Sequence, residues 1–176
     1  MVKLDQRELF RRARQIQLVV SDVDGVLTDA GVYYSARGEE MKRFSMRDGM
    51  GVERLRERRI DTAFVTREDS PIVVQRAHKL RIPHVHLAVF DKREFLERWL
   101  GKLGVALAHV AYIGDDLNDL EAIRLVASEG LTAAPSDAAP EVLRVAQFHT
   151  TLAGGHGAFR QFADLLINSH TQEHDG

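Results

Sequence analysis

Short apolar, β-branched runs alternate with stretches of helical periodicity along nearly the whole chain. The runs are IQLVVSD (16–22), DTAFVT (61–66), HVHLAVF (84–90), HVAYIG (109–114) and GLTAA (130–134), with FHTT (148–151) as a last candidate. Strands that alternate with helices cannot be joined as hairpins; they predict a parallel sheet with helices on both faces. The expected fold is therefore a three-layer α/β sandwich, Rossmann-like, with a mostly parallel central sheet. At 176 residues the chain suits a single domain over 1–176.

The helices between the runs can be read from caps and spacing. Residues 5–15 form a short amphipathic helix carrying Leu4, Leu9, Phe10 and Ala13. Asp48 stands where it could cap a helix with Val52 and Leu55 inside it. Ser70-Pro71 starts a helix through Val73, Val74, Ala77 and Leu80 that Pro83 breaks. Asp91 caps a helix with Phe95, Leu96, Trp99, Leu100 and Leu103 at core spacing. DLNDLEAIRLV is a further helix, Pro135-Ser136-Asp137 opens another, and GGHGAFRQFADLLIN is a glycine-led final one. One segment breaks the alternation: GVYYS and MKRFS, joined by Ala36-Arg37-Gly38, read as a β-hairpin insertion at about 29–45. The polar end, about 169–176, reads as a mobile tail.

Composition excludes several function classes. The chain contains no cysteine, which removes disulfide frameworks, thiolate metal sites and cysteine nucleophiles, and fits a reducing, cytoplasmic setting. The net charge of −2 offers no field for nucleic acid or an anionic membrane. No apolar run is long enough for a bilayer span, and the N-terminus has no continuous apolar core of a secretion signal.

Ligands of such sheets bind beyond the carboxyl ends of the strands. Polar residues gather at those ends: Asp22 and Asp24 after the first run, Thr66 after the second, Asp91 and Lys92 after the third, Gly114, Asp115 and Asp116 after the fourth. Residues two apart in extended chain face the same way, so Asp22 and Asp24 can reach one atom together. Their repulsion needs a cation or a proton-transfer task to justify it. Carboxylates without imidazole or thiolate suit a hard, oxygen-preferring ion, with Mg²⁺ the best match. Lys92 could hold an anionic substrate and Thr66 could donate to a phosphoryl oxygen. The set suits phosphoryl transfer, in which positioning and charge neutralisation do most of the work. Taken singly these residues have plainer readings: Asp22 and Asp24 as turn formers, Thr66 as a strand end, Lys92 as a solvated helix residue. DDLND lacks the glycine and glutamate of a calcium loop. His84 and His86 have no third ligand beside them and read as ordinary strand histidines.

DVDGVLTD, the Thr66 strand end, Asp91-Lys92 and GDDLND, in that order, resemble the haloacid dehalogenase superfamily of aspartate-nucleophile phosphatases. From DVDGVLTDAGVYY through RDGMGVERL and AYIGDDLND to GGHGAFR, the chain is similar to the branch without a large cap that includes 3-deoxy-D-manno-octulosonate 8-phosphate phosphatases. The resemblance implies Asp22 as nucleophile, forming an aspartyl-phosphate, and Asp24 as general acid and base. It implies Mg²⁺ held by the Asp22 carboxylate, the Asp24 main-chain carbonyl and Asp115, with Thr66 and Lys92 on the phosphoryl group and Asp119 and Asp116 in support. It also implies a homotetramer assembled through the hairpin, a role in lipopolysaccharide biosynthesis, and a small-molecule sugar acid phosphate as substrate. Asp48 and Arg160 join the candidates for substrate specificity.

The second motif departs from the eight-carbon pattern. Ser/Thr-Gly-Arg is usual there, and this chain reads Thr66-Arg67-Glu68. Glu68, with Lys79 one helix later, looks more like relatives acting on nine-carbon, sialic-acid-type 9-phosphates; Arg67 could compensate for the lost positive contact. A non-catalytic, oligomerising domain of the same fold is the rival from another class. Such a domain would be expected to lose a member of the set, whereas Asp22, Asp24, Thr66, Lys92 and Asp115 are all present.

Overall fold

The structure is a computed structural model and describes residues 4–169. The reading of residues 170–176 as a tail lies outside them. The first helix, α1 (Gln6–Ala13), is capped by Asp5, whose side chain accepts from the Glu8 amide. Then follow β1 (Leu18–Ser21), β2 (Thr28–Ser35), β3 (Gly38–Phe44), α2 (Met46–Glu57), β4 (Asp61–Val65), α3 (Pro71–Leu80), β5 (His84–His86) and α4 (Lys92–Leu103). The chain continues through β6 (Val110–Ile113), α5 (Leu120–Ala127), β7 (Leu131–Ala134), α6 (Pro140–Val145), β8 (Phe148–His149) and α7 (Ala158–Ser169). Six strands form one sheet in the order β5-β4-β1-β6-β7-β8, every adjacent pair parallel. The hairpin β2–β3 is a separate antiparallel pair.

Alternation along the central strands sorts the core into two halves. Val19, Ala111 and Ile113 point to the layer of α1, α2, α3 and α7, where Leu55, Phe159, Phe162 and Leu166 pack. Leu18, Val20, Val110 and Tyr112 point to the layer of α4, α5 and α6, where Leu96, Trp99, Leu100, Ile123 and Val142 pack. β1, β6 and β7 are buried at every position, as a strand covered on both faces must be. Among the described residues no helix is long and apolar enough to cross a membrane.

The sequence misplaces several element ends. Ser45, not Asp48, caps α2: its hydroxyl accepts from the Arg47 and Asp48 amides. Asp48 is fully buried and accepts from the amides of Gly157 (3.1 Å) and Arg160 (2.9 Å), so it caps α7 instead. The strand read at 84–90 stops at His86, because its partner β4 ends at Val65 and Ala88 adopts a positive φ of 53°. The helix expected from Pro135 starts at Pro140. Asp137 is instead a side-chain acceptor for the Gly154 amide. Ser70 does occupy the N-cap of α3, but its side chain makes no capping bond. His84 and His86 pack against Trp99, with His86 also against Phe95, as members of an aromatic cluster on the edge strand.

Candidate active site

The chain leaves β1 towards β4 and β5 on one side and later returns to β6, β7 and β8 on the other. The carboxyl ends of β1 and β6 therefore flank the point where strand order reverses, the usual place for a crevice in an open α/β sheet. Asp22 directly follows β1 and Asp115 lies two residues past β6. A cavity of about 500 Å³ opens there, lined by Asp22, Asp24, Thr66, Arg67, Glu68, Asp115 and Asp116, with Ala30, Leu117 and Asn118 completing the wall.

Beneath the cavity lies a buried charge network. Lys92, the first residue of α4, is 1% exposed, and its Nζ stands 2.9 Å from Asp22 Oδ2 and 2.6 Å from Asp119 Oδ1. Tyr112 donates its hydroxyl to the same Asp119 oxygen at 2.6 Å. The other oxygen of Asp119 accepts the amides of Asp115 (3.0 Å) and Asp116 (3.3 Å). Asp119 is thus saturated on both oxygens, and it shapes the loop after β6 from inside. Burial works against the Lys92 charge, yet Asp22 and Asp119 together keep its pKa above the ordinary lysine value.

Close backbone approach gives the loops their form. Gly25 has φ +88°, and a Cβ there would lie 1.9 Å from Asp115 Oδ2. The loop after β1 can therefore touch the loop after β6 only with glycine at that position. A Cβ on Gly154 would lie 1.8 Å from the Gly25 carbonyl oxygen, and the Gly155 amide donates to the Val26 carbonyl at 2.9 Å. The GGHG segment accordingly buttresses the Asp22–Asp24 loop of its own chain.

Three observations fit a divalent cation. Carboxylate oxygens of Asp22, Asp115 and Asp119 lie within 4.8 Å of one another. Asp115 Oδ1 is buried with no hydrogen-bond partner. Three carboxylates share one ammonium, so the ionised cluster carries an excess of two negative charges. Both oxygens of Asp119 are already engaged, which leaves Asp22 and Asp115 as the side chains able to hold an ion. The donors are all oxygen, as Mg²⁺ prefers. Without the ion, burial, then Asp119, pushes Asp22 up to about 7 against the opposing pull of Lys92. Burial, then Asp22 and Asp119, pushes Asp115 up to about 8.

Not every expected residue reaches the cavity. Thr66 is 1% exposed at its edge, with Oγ1 accepting from the Glu68 amide at 3.2 Å. Arg67 lies over the Phe90 ring, 5.5 Å from its centre. Lys79 is in the last turn of α3, exposed, and outside the cavity wall. The helix starts near the strand ends and carries it about 12 Å away along its axis. Asp48 is sequestered under α7. Arg160 pairs through Nε with Asp164 at 2.9 Å on the same helix, also off the wall. Two participants were not found by sequence reasoning. Tyr112 lies inside the apolar run of β6. Lys42 is a hairpin lysine whose side chain is 1% exposed and whose Nζ lies 2.6 Å from Asp24 Oδ2. Nothing local marks either residue, because their partners are supplied by topology.

The model of the haloacid dehalogenase-like hydrolase family matches residues 72–160. The 3-deoxy-D-manno-octulosonate 8-phosphate phosphatase of Yersinia pestis is 38% identical over 160 residues, 91% of this chain and 84% of that protein. The same enzyme of Escherichia coli K12 is 37% identical over the same shares. A crystal structure of the Moraxella catarrhalis enzyme with magnesium, phosphate and its sugar acid superposes with a TM-score of 0.88 at 35% identity, covering 94% of this chain and 93% of that one. The cobalt-bound Haemophilus influenzae enzyme gives 0.85 at 34% identity, covering 94% and 96%.

Lys92→Met should destabilise the protein by about 3–5 kcal/mol, because it leaves two buried carboxylates facing each other; urea unfolding measures this, and an unchanged midpoint would refute the network's role. In the metal-free protein Asp22 and Asp115 keep protons that unfolded carboxylates release near 3.8. Their contribution to stability is present in acid and is lost as pH rises from there to about 8. A cation must displace those protons, so Mg²⁺ affinity should rise between about pH 6 and pH 8 with net proton release. Calorimetric titration in buffers of different ionisation enthalpy reads both quantities; a pH-independent affinity would contradict the assignment.

Proposed function

The chain belongs to the haloacid dehalogenase-like hydrolases, and from that premise we propose that it is a Mg²⁺-dependent phosphomonoesterase acting on 3-deoxy-D-manno-octulosonate 8-phosphate. The observation that carries the reading is the convergence of Asp22, Asp24, Thr66 and Asp115 on one cavity with Lys92 beneath it. The identity to octulosonate phosphatases over nine-tenths of the chain supports the substrate. The nine-carbon alternative rested on Glu68 and Lys79 together. Glu68 lines the cavity and Lys79 does not, so the nine-carbon reading keeps one of its two supports, while the likeness to octulosonate phosphatases favours the eight-carbon acid.

In this reading an oxygen of Asp22 bonds to phosphorus as the phosphorus–ester oxygen bond breaks. The leaving oxygen takes the electron pair of that bond and the proton carried by Asp24. Water then bonds to phosphorus and gives a proton to Asp24, while the Asp22 oxygen–phosphorus bond breaks, returning its electron pair to the Asp22 carboxylate and releasing inorganic phosphate. Lys92 holds Asp22 in place and stands ready to draw phosphoryl oxygens. Thr66 offers its hydroxyl to the same group. Magnesium, held by Asp22, Asp115 and the Asp24 carbonyl, would supply neutralisation of phosphoryl charge. Arg67, kept over Phe90 at the cavity wall, is the cation available for the sugar carboxylate.

The hairpin exposes Tyr33 (62%), Tyr34 (69%) and Met41 (58%). Exposed apolar side chains of this size on one hairpin support homotetramer assembly through it. The lack of cysteine is compatible with a cytoplasmic setting, which cell fractionation would test.

Asp22→Asn should lower turnover of the octulosonate phosphate by at least about a thousandfold in Mg²⁺, and EDTA should silence the wild type. Near-normal turnover by the variant would refute the mechanism. Side-by-side kcat/KM on the eight- and nine-carbon acid phosphates should favour the former; the reverse order would move the substrate. Light scattering should give four chains per particle, and a monomer would rule out the assembly.

A further inference from the structure

Lys42 is out of character for its surroundings. The hairpin is mostly exposed, yet this one side chain is 1% exposed. A lysine on an outlying strand is expected to reach water, and burying its charge is costly unless it is fully paired. Its Nζ lies 2.6 Å from Asp24 Oδ2 and 3.5 Å from Glu39 Oε2. Glu39 accepts in turn, through Oε1, from the Ser70 hydroxyl. Ser70 stands at the N-cap of α3, yet its hydroxyl is turned to Glu39 and makes no capping bond with the helix amides. A helix cap has been diverted to hold Glu39, and Glu39 to hold Lys42.

The other side of Asp24 is fixed as well. Thr28 Oγ1 accepts the amides of Gly25 (3.4 Å) and Ala30 (3.2 Å), so its single proton is directed to Asp24 Oδ1 at 3.1 Å. The short, charge-assisted contact is on Oδ2 and the longer, neutral one on Oδ1. Both oxygens have a partner, and Oδ1, with the longer contact, is the less tightly held of the two.

We propose that Lys42, held by Glu39 and Ser70, is a positioning residue for phosphoryl transfer: it grips Asp24 Oδ2 so that Oδ1 meets the leaving oxygen. The inference rests on the reading of Asp24 as the proton-transfer group. In the step concerned the Asp22 oxygen–phosphorus bond forms, the phosphorus–ester oxygen bond breaks, and the departing oxygen receives the Asp24 proton. An alkoxide needs that proton; p-nitrophenolate leaves without it. Because kcat/KM reports events up to the first irreversible step, a misplaced Asp24 should penalise alkyl phosphates and spare aryl ones.

The test compares kcat/KM of wild type, Lys42→Met, Lys42→Arg and Glu39→Gln on octulosonate 8-phosphate and on p-nitrophenyl phosphate. For Lys42→Met the sugar phosphate should lose about 30-fold or more while the aryl ester stays within about threefold. Lys42→Arg should recover part of the loss, and Glu39→Gln should show the same selectivity more weakly. Equal losses on both substrates, or no loss, would overturn the proposal and leave Lys42 as a structural anchor of the hairpin. If Lys42→Met does not fold by circular dichroism, the substrate ratio of Glu39→Gln decides in the same way. A wild type that turns over neither ester would instead overturn the reading of the site itself, and the proposal with it.

Discussion

One buried ammonium organises the catalytic end of this molecule. Lys92 sits in contact with Asp22 and Asp119, and each of those carboxylates shapes a different loop. Asp119 reaches the amides of Asp115 and Asp116, and so determines the path of the chain after β6. Asp22 ends β1, with Oδ1 accepting from the Val23 amide at 2.7 Å. Without the cation, three acidic groups would have to share a dehydrated space, and protonation or unfolding would be cheaper than ionisation. With it, the cluster still falls two positive charges short of neutrality. The same network thus gives the loops their shape and creates the demand for a divalent ion.

The sheet explains why such a network can exist. Parallel strands deliver all their carboxyl ends to one edge, and the reversal of strand order beside β1 opens a crevice there. Residues 22, 66, 92 and 115 are far apart along the chain and adjacent at that edge. Tyr112 and Asp119 then close the floor from the α4–α5 side. The hairpin covers Asp24 from the opposite direction with Lys42. Two ammonium groups from separate elements thereby hold two neighbouring aspartates, which would otherwise repel each other.

Much of this was legible before any coordinates. Period and turn chemistry located the central strands, and strand-end chemistry located Asp22, Asp24, Thr66, Lys92 and Asp115. Each signal is local, so a linear reading can find it. Other features are not local. Asp48 looks like a cap for α2 because it stands near the start of that helix; its true partners are the amides of Gly157 and Arg160. Lys79 looked close to the second motif in sequence, but α3 carries it away from the cavity. Lys42 carries no local mark, because its partner Asp24 lies 18 residues earlier in the chain. Ser70 has the right residue type for a cap, but its hydroxyl points to Glu39 and donates there rather than accepting from the amides of α3. Asp48 and Ser70 share one cause: a side chain with a plausible neighbour in sequence has a different one in space.

The seating of Gly154 and Gly155 against the loop after β1 has a consequence for how the protein is born. The loop that carries Asp22 and Asp24 is synthesised well before its backing, which comes from Gly154 and Gly155. A nascent chain that has released only the central strands holds the acidic residues but not the scaffold that aligns them. The loop and its seat can therefore meet only once β8 has been made, and a chain stopped inside α6 or β8 holds Asp22, Asp24 and Asp115 without Gly154 and Gly155 behind them.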